Sequence, residues 1–193
     1  IKKTATLATA KTALTAANSK LTPTMVSFAK TWAQTGGGRA SNQIPLIPIY
    51  VNGEPYYVLL THPDAVYDWQ YDSTVMQAHR EARERGLDNP IFRGAQYIWD
   101  GVIIHTHEYT RKGTDGGAGT VPWCHAHLLG QQALVMAVGE RPDLIDYTRD
   151  AKEDLFYAWR MTIEIGKPQF DSKDYGSLDI LVARTNVSGI ATT

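Results

Sequence analysis

Four of the six histidines fall in two H-x-H pairs, His105 and His107 within IIHTHE and His125 and His127 within CHAH. On an extended strand, residues two apart face the same side, so each pair could present two imidazoles together, a spacing that zinc sites use. A hydrolytic centre of this kind also asks for a carboxylate as ligand or general base. Glu108 adjoins His107 but falls on the opposite face of a strand. There is no H-E-x-x-H helix, and the intervening TRKGTDGGAGT, residues 110–120, holds four glycines and reads as a flexible surface loop. Ligands on either side of such a loop would be held loosely. The balance falls on strand histidines satisfied by ordinary hydrogen bonds, with no metal and no cofactor. A metal-dependent hydrolase or cupin-like enzyme built on His105, His107, His125 and His127 is the alternative.

Other chemistry fares worse. There is no G-x-S-x-G elbow and no dinucleotide-type glycine motif between strand and helix. Cys124, the one cysteine, cannot form an internal disulfide or a several-cysteine zinc site. Glu81 and Glu84, and Asp150 with Glu153 and Asp154, read as solvated faces. A catalytic role is therefore not expected.

The 193 residues are 43% hydrophobic, enough to bury a sizeable core. The formal net charge of −1 gives no basic footprint for gripping phosphates, so direct nucleic-acid binding is not favoured. No apolar run approaches the roughly 18–20 residues that span a bilayer, and IKKTATLATAKTALTAANSK lacks the apolar core of a secretory signal, so the chain reads as soluble and without a membrane partner. Its start at Ile1 points to a processed product or a portion of a longer polypeptide.

These residues must be positioned by the elements around them. Leu7, Leu14 and Leu21 recur every seven positions and predict a helix over the first twenty residues. Thr22 as a cap, Pro23 in the first turn and a stripe of Met25, Phe28, Ala29 and Trp32 predict a helix to about residue 36, stopped by Gly36–Gly38. Asn52-Gly53 between two β-rich runs predicts a tight hairpin, its first arm held at a sheet edge by Pro45 and Pro48 and YYVLL inside. HPDAVYDW starts a short helix. STVMQAHREARERG predicts a charged one from Ser73 to about Arg85. YIWDGVIIHTHEYT is extended and broken at Asp100-Gly101, and VPWCHAHLLGQQALVMAVGE is either two strands around Gly130 or one helix. In DLFYAWRMTIEIG, Leu155, Tyr157, Trp159, Met161, Ile163 and Ile165 alternate with Phe156, Ala158, Arg160, Thr162 and Glu164, which predicts a long strand with one buried face. GSLDILVART is its expected antiparallel mate in an elongated ribbon.

In order, LTPTMVSFAKTWAQ, YYVLLTHPDAVYD, HREARERGLDNPIFRGAQYIWDGVIIHTHE, LLGQQALVMAVGE, DLFYAWRMTIEIG and LDILVA resemble the major capsid proteins of tailed bacteriophages, specifically the podophage family typified by that of coliphage N-four. THPDAVYD and GLDNPIFRGAQYIWDGVII are the most specific pieces, and the likeness runs from about Leu21 to Ala183.

The resemblance implies an α+β Hong Kong 97-type shell fold, with a spine helix, a long-stranded peripheral domain and an α/β axial domain. Mapped here, residues 1–39 hold an N-terminal helix and the spine helix at 22–36, 40–149 the axial domain, and 150–193 the long strands returning to the periphery. Relatives carry an N-terminal arm and an extended hairpin that embrace neighbours, and no segment is assigned to that hairpin. The implied partners are copies of the chain in hexamers and pentamers, with portal, scaffolding or decoration proteins, around packaged DNA enclosed without sequence-specific binding. The implied location is the virion, assembled in the host cytoplasm. Exposure nominates Arg80, Arg83 and Glu84, Thr114 and Asp115, and Arg160 and Glu164 as subunit contacts.

Overall fold

The computed structural model describes residues 7–36, 44–51, 53–84, 97–149, 154–170, 173–174 and 176–185. In chain order the elements are α1 (Leu7–Thr12), α2 (Pro23–Gln34), β1 (Ile49–Val51), β2 (Glu54–Thr61), α3 (Pro63–Gln70), α4 (Ser73–Glu84), β3 (Tyr97–Trp99), β4 (Val102–Thr106), β5 (Lys112–Gly116), β6 (Val121–Leu129), β7 (Val135–Arg149), β8 (Asp154–Gly166), β9 (Gln169–Phe170), β10 (Lys173–Asp174) and β11 (Ser177–Ala183).

Seven strands form one mixed sheet in the order β11-β6-β2-β4-β3, with β1 on β2 and β5 on β6. The hairpin expected at Asn52-Gly53 joins β1 to β2, with Gly53 at φ +85°. β2 lies inside the sheet, parallel to β4 and antiparallel to β6. The Asp100-Gly101 break is a tight hairpin between β3 and β4, both residues at positive φ (48° and 72°). Lys30 Nζ holds that turn from α2 by a 2.8 Å bond to Asp100.

One face of the sheet makes the core. Tyr57 and Leu59 of β2, Val102 and Ile104 of β4, Cys124, Ala126 and Leu128 of β6, and Ile180 and Val182 of β11 pack with Val26, Ala29 and Ala33 of α2, Ala65, Val66 and Trp69 of α3, and Val75 of α4. α2, α3 and α4 begin where the sequence predicts. Thr22 Oγ1 accepts from the Met25 N–H to cap α2, and His62 Nδ1 accepts from the Asp64 N–H to cap α3. The core combines segments from all three stretches of chain, because α2 and β11 both close onto the central sheet.

Several local expectations are corrected. The first helix covers only Leu7–Thr12 among the described residues, since Ala/Thr composition gives it little apolar surface to bury. The buried row of α2 is Val26, Ala29 and Ala33, while Phe28 is half exposed. Residues 110–120 are no loose loop. β5 pairs there with β6, and its glycines make room for an indole: a Cβ on Gly113 would lie 2.7 Å from the Trp123 ring.

The largest correction concerns the long strand. β8 pairs with β7, not with β11, in a separate two-stranded ribbon. β11 pairs with β6 over its whole length. The sequence reading assigns no segment to an extended hairpin, but the described residues hold one, 15 residues in β7 and 13 in β8. At ~3.3 Å per residue, β8 alone reaches roughly 40 Å. It has no buried face either: from Leu134 to Thr148 and from Asp154 to Lys167, every described side chain except Glu140 is exposed.

The ribbon is an excursion between two neighbouring strands. The chain leaves the sheet after β6 and returns at β11, and the Gly130 N–H donates to the Gly176 carbonyl (2.8 Å) where the two crossings meet. Gly176, at φ +84°, abuts the backbone of Gln132 so closely that a Cβ would lie 2.4 Å from it. Only glycine fits there.

Candidate functional site

Two surfaces bear on function, the open face of the sheet along β6 and the ribbon. On β6 the side chains of Trp123, His125 and His127 share the face opposite the core. Lys11 Nζ sits 4.4 Å above the Trp123 ring and 2.8 Å from Asp115, which also accepts from Trp123 Nε1 at 2.7 Å. The lysine contact and the indole bond hold the Asp115 carboxyl down to about 2, against an ordinary 3.8. His125 meets the Trp123 ring edge-on at 5.3 Å and stacks on His127 at 5.4 Å, the rings 15° apart.

The four predicted histidines do not converge. β2 separates the pairs, and Leu60 is the register partner of both His105 on β4 and His127 on β6. Two strand spacings, about 9–10 Å, therefore lie between them. β4 ends at Thr106, and His107 sits in a turn against the Tyr109 ring, so that pair is not presented by a strand. The arrangement required by the alternative enzyme is absent among the described residues. What converges instead is His125, His127 and Asp179 of β11, which is register-paired with His127. Nδ1 of His125 lies 2.8 Å from Asp179 Oδ1 and Nδ1 of His127 3.2 Å. Burial pushes the Asp179 pKa upward, but the hydrogen bonds and charge of the two imidazoles outweigh it and hold the carboxyl well below its usual range. Asp179 carries no local signal, because its role comes from a strand pairing 52 residues away.

Cys124 is fully buried, and burial raises its thiol to about 11, far from a nucleophile's range. His62 is also buried, which lowers its pKa against the opposing pull of Asp64. Its Nε2 lies 3.1 Å from Lys112 Nζ, and Arg184 pairs with Asp64, so this cluster ties β5 and the C-terminal end of the sheet to α3.

The ribbon has two unlike faces. Register places Met136 with Ile165, Val138 with Ile163, and Leu144 with Trp159 on one of them, in line with Met161, Tyr157 and Leu155. All are exposed, Trp159 by 75%. The other face carries Arg160 paired with Glu140, then Asp143, Thr162 and Glu164, ending in a Tyr147–Phe156 ring stack at 5.1 Å. Of the nominated contacts, Arg160, Glu164, Thr114 and Asp115 are exposed. Arg80, Arg83 and Glu84 lie on α4, and their side chains fall outside the described residues. The sequence marks the apolar face of the ribbon by its alternation and predicts it as buried, because a core face and a docking face carry the same period of two.

A family model described as "Phage capsid protein" matches residues 8–166. The major capsid protein of Pseudomonas phage KPP25 is 28% identical over 145 residues, covering 68% of this chain and 39% of that protein. The solved capsid of Ralstonia phage GP4 is similar with a TM-score of 0.67 at 25% identity, over 94% of this chain and 52% of that one. The cyanophage Pam1 capsid gives 0.68 at 25%, over 95% and 52%. The chain thus spans about two fifths of the curated relative and about half of these solved chains. The mixed α+β fold is that of phage capsid proteins.

Proposed function

The chain belongs to the phage capsid protein family, and on that premise we propose that it is a structural subunit whose copies tile a closed icosahedral shell around packaged double-stranded DNA. The observation that carries this reading is the β7–β8 ribbon, with an unburied and mostly apolar face from Met136 and Ile165 to Leu144 and Trp159, beyond which Asp146 and Thr148 join Tyr157 and Leu155. Monomers rarely expose contiguous apolar surface on this scale, and a two-stranded ribbon has no independent reason to be stable in water. It gains its core from a neighbour. Held at both strands by another copy, each subunit adds modest contacts that become strong together.

In this reading the body built on the seven-stranded sheet is the axial unit, supplied by the described part of residues 40–129 and completed by β11, while β7 takes the end of the expected 40–149 span into the ribbon. The helix at 22–36 abuts it as the end of a spine, and the ribbon is the arm that embraces a neighbour. Arg160 and Glu164 border that contact, while Thr114 and Asp115, with Arg80, Arg83 and Glu84, lie nearer a symmetry axis of hexamers and pentamers. The near-zero charge suits a container whose DNA is enclosed without sequence-specific grip. The subunit performs no chemistry, assembles in the host cytoplasm and ends in the virion. Portal, scaffolding or decoration proteins are its further partners.

Electron microscopy of the full-length protein tests the proposal. Uniform closed particles are expected, and excising residues 134–167 should abolish them while leaving a folded body. A persistent monomer, or particles that form equally well without the ribbon, would sink it.

A further inference from the structure

We propose that His125, His127 and Asp179 bind one zinc-class divalent ion, which staples β11 to β6. The site stands apart from the shell reading and from any catalysis, and each ligand is set by the sheet. His125 and His127 are two apart on β6 and so share a face, and Asp179 enters that face because β11 pairs it with His127. One ligand atom from each residue lies within 4.8 Å of the other two.

The donors suit the ion. Two imidazole nitrogens and one carboxylate oxygen favour zinc and its transition-metal neighbours over magnesium or calcium, which want oxygen alone. With bonds of ~2.0–2.1 Å, the edges of a tetrahedral site measure about 3.3–3.4 Å. Of the two His-to-Asp distances, 3.2 Å already lies close to this and 2.8 Å needs to open by about half an ångström. The side chains of His127 and Asp179 are 38% and 45% exposed and have room to turn outward. Their open side leaves the fourth position to water.

His125 is the fixed member. It is 5% exposed, clasped between the Trp123 and His127 rings, and its buried Nε2 has no partner among the described residues. Its ring is thus tethered through the Nδ1 edge alone, where Asp179 lies. A ligand held in place before the ion arrives costs little ordering on binding.

Titrating the purified full chain with Zn²⁺ against a chromophoric chelator, with thermal melting in parallel, tests the site. One equivalent should bind, Mg²⁺ should not compete, and Zn²⁺ should raise the melting midpoint. Losing an inner ligand should cost more than the ~10–100-fold that follows loss of an outer partner, so H127Q and D179N should each weaken binding by at least about 100-fold. H105Q should leave it unchanged. His127 is partly exposed and Gln keeps a hydrogen-bonding side chain there, so H127Q keeps the test valid even if D179N misfolds, as circular dichroism would reveal. No saturable binding by the unaltered chain, binding that survives H127Q, or equal loss in H105Q overturns the proposal.

Discussion

Trp123 is the point at which α1, β5 and β6 meet, and its indole fits only because residue 113 has no side chain. A methyl on Gly113 would lie 2.7–2.8 Å from two ring atoms and from Asp115 Oδ1. Gly113→Ala should therefore destabilise the chain by about 1–3 kcal/mol, read from denaturant melts. Buried Cys124 gives a second prediction. Its thiol is raised to about 11 against an ordinary 9.0, so the folded state disfavours the thiolate. The sign follows: this contribution to stability is whole below pH 9 and is lost as pH rises through about 11. At pH 8 the native thiol should resist iodoacetamide that rapidly modifies the denatured chain, and Cys124→Ser should flatten the alkaline loss. The buried place of Cys124 was legible, since an isolated cysteine in an apolar run is most often core. The company of Asp179 was not, because that depends on register between distant strands.

At the scale of elements, the sequence yields what is decided within a few residues. The Thr22-Pro23 start, the Asn52-Gly53 turn and the Asp100-Gly101 break all carry their own backbone chemistry, and each is where it was expected. Partner choice is different. Both Val135–Arg149 and Ser177–Ala183 were available to the long strand, and nothing in the alternation of β8 selects between them. The selection is made by the sheet, which claims β11 because Ile180 and Val182 complete the core beside β6. β8 is left with an apolar face that nothing among the described residues covers. Trp159→Glu should therefore move the stability of the isolated chain by less than about 0.5 kcal/mol, as surface changes do, while preventing particle formation by light scattering. A comparable loss of monomer stability would mean that the face is buried at home.

For the whole molecule, the family was legible from the order of its segments, and the body's architecture only from the structure. Charge belongs to this scale too. With 19 basic and 20 acidic residues, affinity for duplex DNA should be weak and its logarithm should change little with the logarithm of salt concentration, measured by fluorescence anisotropy. A steep slope would mean that the charges are segregated into a phosphate-binding face.

The excursion that carries the ribbon departs and returns at Gly130 and Gly176, one hydrogen bond apart. Its geometry makes reach a parameter independent of the body. Adding two residues to each strand would lengthen the outward span by about 6.6 Å and disturb no packing elsewhere. Lineages can thus retune the spacing between neighbours by local insertion, and a tug on the tip is delivered to one edge of the sheet, along the lengthwise seam of β6 and β11.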